Sequence, residues 1–442
     1  MIFRILCLFT LLQLALCEQQ VLTEQSNFGL LRRFSSVQEA LDVAQARNLD
    51  VWHQTKTFVD IYFPPDELHL PDELKVLPHN DTLISAIPPR RMGLGGFAPF
   101  ANSSFHDVYH PLDELTSFIH ELANTHPNIT RITNLGTSAE GRDVLALTIS
   151  TGPYSKKMEL KKGGKKKRPS GPAGDKLGFV IVGAQHAREW IATATSVYLA
   201  HALVADASEP HSLSPLLTHF DFHIVPVPNP DGYEFTWSTD RFWYKNRQIL
   251  GPHEKCIGLD MNRNWGYKWK REALDRGLQE TKPRVPTNPC SHWYPGTRAF
   301  EAPEVNNLAN WVATLPNVVA FIDLRSYGQM LSSPYSYTCK KQPKDAEDQV
   351  EAALGASQAL KSVHGTHFQT GKLCSMLYAA PGNILDWMYA RVGIKYSYVA
   401  HLRDTGTYGF ALPEKWIRPT GEETASLVDY LSRFIAKQAK SS

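Results

Sequence analysis

The chain has 442 residues, 43% hydrophobic and 20% charged, with 20 Phe, 17 Tyr and 10 Trp and a formal net charge of +2. Apolar surface on this scale offsets ordering entropy and excludes a disordered chain, and the near-neutral total excludes a nucleic-acid surface as the main partner. Gly and Pro are abundant, 28 and 29, but follow no repeat period, so collagen-like order is excluded too; at ~150 residues per domain the length predicts two to three domains.

Met1 to Cys17 reads as a secretory signal peptide. Arg4 supplies the charge, Ile5 to Leu16 the short apolar run, and Ala15-Leu16-Cys17 a small-x-small cleavage pattern before the polar Glu18. The run is too short to span a bilayer, and no later stretch approaches ~18 uninterrupted apolar residues, so no transmembrane segment is expected. A signal of this kind sends the chain through the secretory pathway, to the exterior or to a vacuole. Cys256, Cys290, Cys339 and Cys374 then form an even set in an oxidising compartment, with three possible pairings. Sequons at Asn80, Asn102 and Asn128 fit the same compartment as glycosylation sites.

Residues 18–91 read as a small α+β unit. Ser36 with Glu39 three positions on opens a helix through Ala46 as a capping box, and Val51 to Phe63 alternates like one strand. Pro88-Pro89-Arg90-Arg91, followed by Gly93, Gly95 and Gly96, has boundary composition; the dibasic pair is either a processing site or simply solvated. Lys156-Lys157 and Lys161 to Arg168 form a basic loop, read as a solvated insertion, with attraction to anionic polysaccharide or a membrane surface as the sharper alternative.

From about residue 106 strands alternate with helices. Buried strands are predicted at Phe179–Ala184, Phe220–Val227, Val318–Leu324 and Tyr396–Leu402. Helices are predicted at Trp190–Val204, Pro303–Ala313, Ala346–Val363 and Glu422–Ala439. The fold class is therefore α/β, with a central mixed, mostly parallel sheet flanked by helices, and ligands belong at the carboxyl ends of its strands.

His186 and Glu189 lie where a buried strand gives way to a helix, three apart and so on one face of a first helical turn. Imidazole and carboxylate suit zinc, which in a catalytic site needs a third ligand and an open position. Taken alone, a His-x-x-Glu pair is more often a helix-start ion pair. Its context narrows the reading. His186-Ala187-Arg188-Glu189-Trp190, Pro228-Asn229-Pro230-Asp231-Gly232-Tyr233, Asp260-Met261-Asn262-Arg263-Asn264-Trp265 and Leu402-Arg403-Asp404-Thr405-Gly406 occur in one order. Together they resemble the secreted zinc metallocarboxypeptidase A/B family over residues 106–442. Residues 18–91 resemble its inhibitory prodomain, with 92–105 as a linker.

The resemblance implies a chemistry in which a zinc held by His, Glu and His activates water. A Glu base moves the proton, an Arg stabilises the oxyanion, and an Asn-Arg pair with a Tyr holds the terminal carboxylate of a peptide. His186 and Glu189 match the first two metal ligands, and Asp260 the carboxylate that orients the first. Asn262, Arg263 and Tyr378 match the clamp, Ser326 and Tyr327 line the cleft, and Arg188 and Arg241 match lesser substrate contacts. Leu385 falls at the side-chain selector, where an apolar residue points to aliphatic or aromatic C-terminal residues. The same resemblance pairs Cys256 with Cys290 and leaves Cys339 for Cys374.

Three positions depart from the pattern. Arg325 stands in place of the third zinc ligand, and a guanidinium has no lone pair for a metal. His401 stands where the base Glu belongs, and Tyr244 where the oxyanion Arg belongs. An oxyanion donor is worth on the order of 10²–10³ in rate and a base 10²–10⁴. The expectation is a catalytically inactive protein that resembles the fungal inactive metallocarboxypeptidase-like proteins linked to cell-wall organisation, with Arg325 pairing to Glu189 in the vacated metal position. Two alternatives stay open: His401 completes a zinc set with His186 and Glu189, or the chain is a weakly active zinc carboxypeptidase of A-type specificity. Peptide C-termini and cell-wall components are the expected partners.

Overall fold

The computed structural model describes residues 28–85, 98–152, 176–269 and 286–441. The expected signal peptide, the Arg90-Arg91 pair and the Lys161 to Arg168 run lie outside these residues. The chain divides into two units, Met1–Pro89 and Arg90–Ser442.

In the first unit, strand β1 (Phe28–Phe34), helix α1 (Val37–Arg47), β2 (Asp50–Gln54), β3 (Val59–Phe63), a one-turn helix α2 (Asp72–Lys75) and β4 (His79–Ser85) follow in order. The strands form an antiparallel sheet in the order β2-β3-β1-β4. The single strand expected over Val51 to Phe63 is two. Thr55 breaks it, because its Oγ1 accepts the amides of Thr57 and Phe58 and its own amide bonds Phe58 O, closing a turn. Ser36 does precede α1, but its side chain makes no cap hydrogen bond, so the capping box is not formed. The helix ends instead on Asn48 in the left-handed region, φ 54°.

The second unit opens with α3 (Leu112–Thr125), then β5 (Thr130–Thr137), β6 (Asp143–Ile149), β7 (Leu177–Val182), α4 (Trp190–Val204), β8 (Phe220–Val225) and α5 (Pro230–Ser238). It continues with α6 (Pro303–Val312), β9 (Val318–Arg325), β10 (Met330–Ser333), α7 (Ala346–His364), β11 (Gln369–Lys372) and the short α8 (Leu373–Met376) and α9 (Ile384–Trp387). Strand β12 (Tyr396–His401) and the long α10 (Ile417–Ser441) complete it. Helix α10 starts five residues before the expected Glu422, since Pro419 falls in the first turn, where no amide donor is needed.

Eight strands form one sheet in the order β11-β10-β12-β9-β7-β8-β6-β5. The middle four, β12, β9, β7 and β8, run parallel, while β10, β6 and β5 pair antiparallel. Alternation divides β7 between two cores. Phe179 and Ile181 join the aromatic core with Trp190, Tyr198 and Leu431, whereas Val180 and Val182 join Trp265, Leu308 and Ile384 on the other face.

The parallel strands deliver the functional residues to one end of the sheet. Gly183 follows β7 directly, and a Cβ there would lie 2.1 Å from Pro226 O. Only glycine lets the chain turn this close to the end of β8 and into His186.

Candidate functional site

Four segments converge at the carboxyl ends of β7, β9 and β12. His186 and Glu189 lie on the turn after β7, with Glu189 the residue capping α4, so they sit before the helix rather than on its first turn. The Glu189 amide bonds His186 O at 3.2 Å, which holds both side chains to one side. Asp260 lies in a loop whose short 3-10 turn carries Asn262 and Arg263. Arg325 ends β9, and His401 ends β12 in register beside it.

The pairing of Arg325 with Glu189 expected from the sequence is present. Arg325 donates from Nε to Glu189 Oε2 at 2.8 Å and from Nη2 to Glu189 Oε1 at 3.1 Å. Nη2 also contacts His186 Nδ1, and Nη1 lies 3.4 Å from Asp323 Oδ2. On the far side, His186 Nε2 donates to Asp260 Oδ1 at 2.8 Å. This bond turns Nε2 toward Asp260 and leaves Nδ1 facing the guanidinium and, at 3.1 Å, Glu189 Oε1. His186, Glu189, Asp260, Asp323 and Arg325 are all buried, at 4% exposure or less.

Burial alone would raise the Glu189 pKa, but the charge of Arg325 and the neighbouring His186 overcome it and hold the carboxyl at about 2. Asp260 is likewise lowered against its burial by His186 and Arg263. For Asp323 the balance goes the other way. Burial pushes it up to about 7, since Arg325 is already shared and Gln185 adds only neutral bonds, 3.1 Å to each oxygen. Asp323 and Gln185 are functional neighbours that the sequence reading missed. A signal existed: Asp323 and Arg325 are two apart on one strand and therefore share a face.

Tyr244 covers the other side of His186, with ring centroids 3.6 Å apart, and the Arg188 guanidinium lies 4.7 Å from the Tyr244 centroid. Arg188 is wholly buried, reaching Phe242 O at 3.3 Å and facing the Phe410 ring. Arg241 rests on the Trp190 ring and donates to Phe410 O at 2.7 Å and to Arg188 O at 3.2 Å. Both arginines, expected as lesser substrate contacts, are held by rings and main-chain carbonyls.

The residues expected to form a clamp lie together. Arg263 Nη2 donates to Tyr378 Oη at 2.9 Å and Nη1 to Asn262 O at 3.0 Å, while Asn262 Oδ1 receives the Ile384 amide. Gly382, at φ +75°, backs the clamp, and any Cβ there would meet Arg263 O at 2.3 Å. Leu385 is buried with Leu373, Ala380 and Val399 beside the half-buried Tyr378. Ser326 and Tyr327 follow Arg325 and are buried, the Tyr327 ring lying edge-on to Phe410 at 5.0 Å. The disulfides Cys256–Cys290 and Cys339–Cys374 are formed, with Cα separations of 5.1 and 5.5 Å.

A divalent metal does not fit this arrangement. Arg325 Nη2 takes the point on which His186 Nδ1 and Glu189 Oε1 converge, and a second cation there would meet a permanent charge. His401 does not complete a set either. Among the described residues the three-residue group of potential ligand atoms that converges is Glu254, Cys256 and Cys290, and its two sulfurs are already joined. No helix among the described residues is long and apolar enough to cross a membrane.

Comparison with known proteins matches this geometry to a family. The zinc carboxypeptidase family model matches residues 115–427. The inactive metallocarboxypeptidase ECM14 of Ajellomyces capsulatus strain H143 is 32% identical, over 92% of this chain and 70% of its own. The same-named protein of Blastomyces gilchristii strain SLH14081 is 33% identical, over 91% and 71%. Among solved structures, that of thrombin-activatable fibrinolysis inhibitor superimposes with a TM-score of 0.75 at 28% identity, covering 93% of this chain and 99% of that one. Carboxypeptidase A of Helicoverpa armigera shares the fold, with a TM-score of 0.75 at 23% identity over 94% and 98%. The sheet that carries His186 and Arg325, and the loop that carries Asn262 and Arg263, are those of a metallopeptidase scaffold, and the chain belongs to the zinc carboxypeptidase family.

Proposed function

We propose that this protein is a catalytically inactive, secreted carboxypeptidase-like protein that binds peptide or protein C-termini without hydrolysing them. The observation that carries this reading is Arg325, whose guanidinium bonds Glu189 and His186 where the family's chemistry requires a metal-bound water. Tyr244 and His401 supply neither a permanent cation for an oxyanion nor a carboxylate base. Losing an oxyanion donor and a base each costs orders of magnitude in rate, and here the metal position is filled as well.

The binding side supports retention. Arg263 and Tyr378 present a cation and a phenol at one point, and their charge-assisted bonds suit a carboxylate. Leu385 and its apolar neighbours suit an aliphatic or aromatic terminal side chain. Export is supported by the N-terminal signal pattern, by two disulfides and by the exposure of Asn80, Asn102 and Asn128. The names of the Ajellomyces and Blastomyces relatives support inactivity, and a scaffold role in the organisation of the cell wall, outside the cell or by way of the vacuole, is the cellular setting we infer.

Titration of the mature protein with a short peptide ending in Leu or Phe tests the reading. Binding should weaken at least tenfold when the peptide is C-terminally amidated, and equally in Arg263→Ala, with no product released over prolonged incubation. Equal affinity for the acid and the amide overturns the clamp. Turnover that is abolished in Glu189→Gln overturns inactivity and restores the weak-enzyme alternative.

A further inference from the structure

We propose that the Arg325 guanidinium is a covalently tethered replacement for a metal ion, occupying a latent divalent-cation site whose donor atoms are kept in ligating order by the rest of the fold. This goes beyond the loss of activity and does not depend on the clamp.

Three observations carry it. The first is the orientation of His186. Its Nε2 is held on Asp260 Oδ1, so Nδ1 is the ring nitrogen turned inward, the one that would face a metal. Asp260 is itself anchored without help from Arg325, since the same Oδ1 accepts the Asn262 amide at 2.9 Å. The second is convergence. His186 Nδ1 and Glu189 Oε1 lie 3.1 Å apart, and the single nitrogen Nη2 of Arg325 contacts both. The two atoms are aimed at one donor, as two ligands are aimed at one ion. The third is charge. Glu189, Asp260 and Asp323 are buried carboxylates, and Arg325 is the cation that bonds two of them. A cation at this point is therefore required by the fold, and a guanidinium supplies it without exchange.

The turn after β7 and the Asp260 loop position the donors, and β9 supports that turn through Asp323, which accepts from Gln185, as well as through Arg325. Shortening the β9 side chain to one with a lone pair should therefore open the position to an ion, because an imidazole at 325 would be a third nitrogen or oxygen donor of the kind zinc accepts. The wild-type site, in contrast, should ignore metal.

The test is metal analysis of protein purified without added metal, together with the thermal midpoint in zinc and in chelator. Wild type should carry no stoichiometric zinc, and neither reagent should move its midpoint. Arg325→His should take up one zinc per chain, with a higher midpoint that chelator reverses and that His186→Ala abolishes. Stoichiometric zinc in wild type that is lost in His186→Ala overturns the proposal, as does a folded Arg325→His protein that takes up no zinc. If that variant fails to fold, Arg325→Ala is refolded with zinc or with low-millimolar guanidinium against an equal concentration of potassium chloride. Recovery with either cation supports the tethered-cation role, and recovery with neither overturns it.

Discussion

Glu189 gives both of its carboxylate oxygens to one guanidinium, that of Arg325, at 2.8 and 3.1 Å. Both side chains are at least 95% buried, so each depends on the other to remain charged inside the protein. Removing one partner strands the other. Arg325→Met should lower stability by about 3–5 kcal/mol, and Glu189→Leu by a similar amount. The double replacement Arg325→Met with Glu189→Leu should cost clearly less than the sum, because it strands neither charge of the pair. Denaturant midpoints of the four proteins decide this; additive losses would mean that the two residues are not coupled.

Arg263 and Tyr378 make a separable pair. Loss of the phenol in Tyr378→Phe should weaken binding of a peptide acid by about 0.5–1.5 kcal/mol, the worth of one hydrogen bond. Arg263→Lys should weaken it further, since an ammonium cannot reproduce a planar fork. Calorimetric titration separates the two, and a larger loss in Tyr378→Phe than in Arg263→Lys would reverse the order of importance assigned here.

His223 sits inside the sheet on β8, with Nδ1 3.0 Å from Thr148 Oγ1. Burial, with some help from Arg131, pushes its pKa from 6.5 down to about 4. Between these values the unfolded chain binds a proton that the folded chain refuses. Its contribution to stability is therefore complete above pH 6.5 and is lost as the pH falls toward 4. At pH 5 the loss is about 2 kcal/mol. His223→Asn cannot titrate, so the stability gap between it and wild type should narrow by that amount from pH 7.5 to pH 5. Urea midpoints at the two pH values check this, and a constant gap refutes it.

The Cys339–Cys374 disulfide spans 35 residues and ties the segment after β10 to α8, just before Tyr378. Replacing both cysteines by serine should cost about 2–4 kcal/mol of stability, by an amount that depends on the model of the unfolded chain. If the bridge also braces the clamp, binding of the peptide acid should fall more than binding of the amide.

Legibility in the sequence followed physical clarity. The Trp190–Val204 helix was readable to the residue because an apolar segment of that length, bounded by a buried strand, has few other fates. The Val51 to Phe63 region was not, since an alternating pattern runs straight across a tight turn and only the Thr55 side-chain bonds interrupt it. Strand β11 shows no clean alternation and was invisible. At the site, His186, Glu189, Asn262 and Arg263 could be singled out because linear motifs contain them, and Arg325 because it departs from the family's pattern. Asp323 and Gln185 were not, because they act only through partners from distant segments. Arg188 and Arg241 were read by motif as contacts; that their guanidinium groups lie on rings depends on where Trp190, Tyr244 and Phe410 come to rest.

The position of β12 bears on how the protein is made. It is the last strand in the chain, at Tyr396–His401, yet it lies inside the sheet between β9 and β10. Until the ribosome has delivered it, β9 and β10 each present an open edge with unpaired amides and carbonyls. A chain that stops short of this strand retains those edges and invites pairing with another copy. Closure of the sheet is thus a late event, one that follows synthesis of every other strand in it.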